Sequence, residues 1–106
     1  MIQIPQTTFD TYLQCLKNQK YFQAHEVLED FWFPHRFQNN NEVKLLKGFI
    51  NAAVSFELHK RNKKQQSKQV WKNYLKYRQL LYKINSPNLK YYYLLSREID
   101  RHMLYL

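Results

Sequence analysis

The chain has 106 residues, 44% of them hydrophobic and 17% aromatic, which supplies apolar surface for one core and lies outside the composition of disordered chains. A single glycine excludes Gly-rich phosphate loops. A single cysteine, Cys15, excludes an intramolecular disulfide and any cysteine cluster that holds zinc or an iron–sulfur centre. The formal net charge of +9 suits a polyanionic partner, although plentiful Lys, Asn, Gln and Tyr are also what a base-composition bias in the source genome produces.

With one Gly and three Pro, tight hairpins have no material, so the expectation is an all-α chain: one domain over residues 1–106, a compact bundle of about five helices. Pro5 disfavours helix at the residue before it, which makes residues 1–6 an extended lead-in. Thr7 or Thr8 offers an N-cap, and helix 1 then runs to about Asn18 with Phe9, Tyr12, Leu13 and Leu16 at helical spacing. Helix 2 starts near Gln19 or Lys20, gathers Tyr21, Ala24, Leu28, Phe31 and Trp32 on one side, and ends before Pro34.

Residues 34–41, with three consecutive asparagines, form the main loop. Helix 3 spans about Glu42 to Arg61, and its apolar residues cover more than half the circumference, as a central, buried helix requires. After a basic break at residues 60–66, helix 4 runs from about Ser67 to Ile84. Ser86 followed by Pro87 marks the start of helix 5, whose stripe of Tyr92, Leu95, Ile99 and Leu106 reaches the C-terminus. No stretch approaches the roughly 20 apolar residues of a membrane span, and Met1 to Phe9 has no secretion-signal pattern. A reducing, cytoplasmic setting without membrane contact is expected.

The chemistry concentrates in helix 2. At about 100° per residue, Glu26 and Asp30 point to water, whereas His25 and Glu29, four residues apart, border the apolar stripe beside Trp32. A histidine and a carboxylate at a core boundary could share a proton or ligate a metal. On helix 3, Glu57 continues the apolar line of Leu46, Ile50 and Ala53, where burial would favour its neutral form unless a partner answers it. Asn51 lies nearer the edge of the same face. Antiparallel packing of helices 2 and 3 brings Glu57 towards His25, so the expected pocket is built from His25, Glu29, Trp32, Asn51 and Glu57.

The run Phe22, Ala24, His25, Glu26, Val27, Leu28, Glu29, Asp30, Phe31, Trp32, followed by Gly48, Phe49, Ile50, Asn51, Ala52, Ala53, resembles the all-helical family called domain of unknown function 309. That family pairs an Ala-His-Glu-x-Leu-Glu-x-x-Trp signature with a later Gly-Leu-Ile-Gln-x-Ala segment, so the resemblance covers roughly residues 9–84. Asn51 stands where the family has Gln, and Glu57 or its neighbour stands where members often carry His. The resemblance implies an all-α bundle and supplies no activity.

Other readings are testable on the residues. The zincin pattern needs a second His at position 29, which is Glu, and no Glu is followed by His three residues later as di-iron bundles require. No metal or cofactor is therefore expected, and no residue is assigned a catalytic role. Cys15 lacks a neighbouring base and reads as packing, and His35, His59 and His102 read as solvent-facing. The basic cluster Lys60, Arg61, Lys63, Lys64, Lys68, Lys72 and Lys76 is the candidate polyanion surface, although no nucleic-acid motif accompanies it. The leading expectation is a small binding or interaction module, with a small ligand or a protein as partner. The alternatives are RNA or DNA binding through helix 4, and an acid–base or metal-dependent hydrolase using His25, Glu29 and Glu57.

Overall fold

Helical periodicity becomes five α-helices in the computed structural model, which describes residues 3–104. They are α1 (Gln6–Lys17), α2 (Tyr21–Trp32), α3 (Asn41–Lys60), α4 (Lys64–Arg78) and α5 (Leu89–Met103), with 3₁₀ turns at Phe33–His35 and Gln79–Tyr82 and no strand among the described residues. Met1, Ile2 and Leu106, which the sequence placed in the lead-in and in the last helical stripe, lie outside the described residues.

Ten of the twenty residues of α3 are buried, on more than one side, and the helix packs between α2 and α4. The aromatic core binds the other helices to this axis. On α1, Phe9, Tyr12 and Leu16 are wholly buried, and the Tyr12 hydroxyl donates to the Phe49 carbonyl of α3 at 2.8 Å. Tyr92 of α5 packs against both Phe9 and Phe49. Burial pushes the Tyr12 phenol well above its ordinary value, with Tyr74 adding to the shift.

Between α3 and α4 the contact is closer than side chains normally allow. Ser55 and Ser67 exchange hydroxyl-to-carbonyl hydrogen bonds of 2.9 and 2.7 Å, and a Cβ on Gly48 would stand 2.8 Å from the Cβ of Tyr77. Gly48→Ala gains about 1 kcal/mol of helix propensity, but overpacking against an atom fixed to the α4 backbone costs about 1–3 kcal/mol. A lower thermal midpoint is expected, and an unchanged or raised one would mean that α4 shifts freely.

Helices α1 and α3 end in the same way. Gln19 (φ 57°) and Asn62 (φ 63°) adopt the left-handed conformation usually given to glycine. In each case the next residue closes a Schellman turn, Lys20 N–H to the Cys15 carbonyl and Lys63 N–H to the Leu58 carbonyl, both at 2.8 Å. This reversal at Asn62 is why α4 begins at Lys64 and not at the expected Ser67. At its other end α4 tightens into a 3₁₀ turn after Arg78, short of the expected Ile84.

Helix starts also depart from expectation. For α1 the N-cap is Pro5, whose fixed φ of −58° and extended ψ set the chain up, and neither Thr7 nor Thr8 caps it. Asn40 caps α3 through a 2.9 Å bond from the Val43 N–H. Helix α5 starts at Leu89 because Ser86 forms a turn with Asn88 and turns its hydroxyl to Glu42. One oxygen of Glu42 accepts from Ser86 Oγ at 2.6 Å, from Asn88 Nδ2 at 3.1 Å and from the Tyr92 hydroxyl. The start of α3 is thereby tied to the start of α5.

Candidate functional site

The antiparallel packing of α2 and α3 places His25 and Glu57 on one hollow of about 240 Å³, lined also by Phe22, Val54, Leu58 and Arg61. Each ionisable group already has a partner on its own helix, one turn away. His25 Nε2 pairs with Glu29, and Glu57 accepts from Arg61 Nε at 2.6 Å. With Nε2 taken up, Nδ1 is the ring nitrogen left to bond a ligand. Phe22, 45% exposed, lies between the two pairs, its ring 5.6 Å from the His25 ring and 5.8 Å from the Arg61 guanidinium. The arrangement is an apolar surface of Val54 and Leu58 rimmed by His25, the Glu57–Arg61 ion pair and an aromatic ring, with Glu29 behind His25 and outside the hollow. It can hold an apolar body and hydrogen-bond one polar group.

Asn51 and Trp32 stand apart from this hollow. The Asn51 amide donates to the Lys47 carbonyl of its own helix at 2.8 Å, so it offers little to a ligand. Trp32 packs against the core beneath the Lys47 ammonium, 5.6 Å from the ring, and its buried indole N–H finds no acceptor among the described residues. Glu26 and Asp30 are exposed. Among the described residues no three His, Cys, Asp or Glu side chains converge as metal ligands, and the His25–Glu29 pair therefore lacks a third donor.

All seven residues of the basic cluster are exposed. Arg61 is committed to Glu57, and Lys60 reaches the Gln19 carbonyl at 3.3 Å. Lys64, Lys68, Lys72 and Lys76 form no ion pair among the described residues.

A profile of the protein family described as domain of unknown function (DUF309) matches residues 9–70. The chain belongs to this family. Comparison with curated proteins and with solved structures gives no match. The DUF309 match takes in most of α1, all of α2 and α3 and the first half of α4, and so contains every residue around the α2–α3 hollow. The family description carries no activity, and the reading of the site rests on its geometry. No helix among the described residues is long and apolar enough to cross a membrane.

Beyond the DUF309 match, α5 contributes a polar cluster that sequence reasoning missed. His102 is not solvent-facing: its side chain is 11% exposed and packs edge-on to Tyr21 and beside Phe56. Its Nε2 pairs with Glu98 at 2.9 Å, and its Nδ1 meets the Tyr21 hydroxyl at 2.9 Å. Glu98 is itself buried, and Arg101 approaches its other oxygen at 3.5 Å. Burial and then the Glu98 charge raise the Tyr21 phenol above its ordinary value. In the tautomer whose Nε2–H donates to the Glu98 carboxylate, Nδ1 accepts from the neutral Tyr21 phenol. The cluster forms one wall of a second hollow, of about 460 Å³, which Lys17, His59 and Lys60 also line. Both ring nitrogens are engaged within the protein, and the relay's evident effect is to hold the end of α5 against α2. The signal that could have found it is the four-residue spacing of Glu98 and His102, the same spacing that singled out His25 and Glu29.

Proposed function

We propose that this chain is a small cytoplasmic helical binding module whose site is the hollow between α2 and α3. The observation that supports this reading is the seating of His25, held by Glu29, and of the Glu57–Arg61 ion pair on the rim of one apolar hollow with a half-exposed phenylalanine between them. A purely structural pair has no need of an exposed aromatic ring beside it. At about 240 Å³ the hollow lies below the roughly 300–1,000 Å³ range of sites for drug-sized molecules. It suits a single ring with one polar substituent, presented by a small ligand or by a side chain of a protein partner.

The test is a set of small ring compounds, such as phenol and indole derivatives, titrated into the labelled protein while amide and methyl resonances are followed. Shifts should concentrate at Phe22, His25, Val54 and Leu58. His25→Ala should weaken binding about tenfold, the equivalent of one hydrogen bond of about 1.4 kcal/mol, without loss of helicity. Shifts scattered over the surface, or affinity untouched by His25→Ala and Phe22→Ala alike, would leave the two ion pairs as devices that set the crossing of α2 and α3.

A further inference from the structure

The charge of this chain is divided unevenly. No Asp or Glu occurs between Glu57 and Glu98, a span that carries eleven Lys and Arg. Four of these lysines, Lys64, Lys68, Lys72 and Lys76, recur every fourth residue along α4. At about 100° per residue they wind through an arc of about 120° on the exposed part of the helix, outside the sector of its buried residues Ser67 and Tyr74. Successive members stand about 6 Å apart along the axis, so the row is about 18 Å long.

We propose that this row is a binding surface for the phosphate backbone of double-stranded nucleic acid. Three observations select that partner. First, the lysines are exposed and no acid among the described residues neutralises them, so their charge is available to phosphates. Second, the exposed positions beside the row are Gln65, Gln69 and Asn73, which supply neutral donors for phosphate and sugar oxygens. Third, α4 contributes none of the exposed large hydrophobic residues. A helix lying on a membrane buries an apolar face in the lipid, and a single-strand binder offers aromatic rings for bases to stack on. This exposed arc has neither. Measured along the duplex axis, about 18 Å is the rise of about five nucleotides of one strand, at 3.4 Å each. Contact made only through lysines and amides to the backbone is blind to base sequence.

The experiment is fluorescence anisotropy of the full chain with two labelled duplexes of unrelated sequence, a single strand, and phosphatidylserine vesicles by co-sedimentation. Four phosphate contacts predict that duplex affinity falls about 100-fold between 50 and 200 mM salt, by the slope of about −0.9 per contact. Both duplex sequences should bind alike, and the single strand and the vesicles more weakly. Replacing all four lysines by Gln should remove most of the affinity and flatten the salt dependence, while far-ultraviolet ellipticity, which checks folding, is unchanged. A second variant, Lys17→Gln with Lys90→Gln, removes two exposed charges elsewhere and should leave most of the affinity in place. The proposal is overturned by absence of duplex binding at low salt, by affinity that the four-lysine variant retains, by equal loss in the control variant, or by tighter binding to the vesicles or the single strand.

Discussion

Raising the pH past about 10 should unfold this protein cooperatively, with the phenolate absorbance of its three wholly buried tyrosines growing in the same step in which helical ellipticity is lost. Tyr12, Tyr74 and Tyr92 are wholly buried, and burial is the first cause that lifts each above the ordinary value of 10.0. For Tyr92 the hydrogen bond to Glu42 and the charge of that carboxylate add to the shift. For Tyr74 the hydrogen bond with Ser96 offsets part of it. Because the folded values are raised, the unfolded chain releases these protons first. Stability is therefore independent of these groups below pH 10 and falls as the pH climbs towards the folded values.

Each proton retained only by the fold changes stability by about 1.4 kcal/mol per pH unit, so three phenols give a slope of up to about 4 kcal/mol per unit. A domain of ordinary stability, about 5–15 kcal/mol, would then reach its midpoint above pH 10. Phenolate absorbance that develops fully while ellipticity stays intact would show that these rings are open to solvent. The prediction would then be wrong.

Replacing Glu42 by Ala should cost about 2–4 kcal/mol, the largest loss expected from any single carboxylate here, because three donors converge on one of its oxygens. Removing the carboxylate takes away the acceptor of the wholly buried Tyr92 hydroxyl and loosens the turn that starts α5. Glu42→Gln keeps an acceptor but removes the charge and introduces a competing donor, and should fall between the two. Urea denaturation of the three proteins measures the order. An alanine variant within about 0.5 kcal/mol of the parent would mean that water replaces the carboxylate, as at an ordinary surface site.

The helices were legible in the sequence because burial imposes a 3.6-residue period, and α3 was legible as the axis because its apolar residues run round most of the helix. What the sequence concealed were interactions between residues far apart in the chain. Glu42 looks like an acid favourably placed at the start of a helix, and nothing local announces donors at Ser86, Asn88 and Tyr92. His102 looks like a tail residue until Tyr21, 81 positions earlier, is laid against it. Two of the misplaced helix limits share one cause: Pro5 and Asn62 set their boundaries through backbone conformation and not through a capping side chain. For the site, periodicity identified His25 and Glu57 as residues at the apolar boundary, and the structure puts both on one hollow. Their partners on the same helix, and the turning of Asn51 onto Lys47, depend on rotamers that spacing does not determine.

The two Schellman turns also bear on how the chain folds. Each joins its helices through only three residues, 18–20 between α1 and α2 and 61–63 between α3 and α4, and each is closed by hydrogen bonds local in sequence. Two helical hairpins can thus form early, since little loop entropy opposes them. The attachments of α5, to Glu42 and to Tyr21, span 44 to 81 residues and have to wait for both hairpins. Glycine at position 19 or 62 would relax the backbone where each hairpin closes, and so should quicken folding, whereas changes at Glu42 or Glu98 should chiefly hasten unfolding.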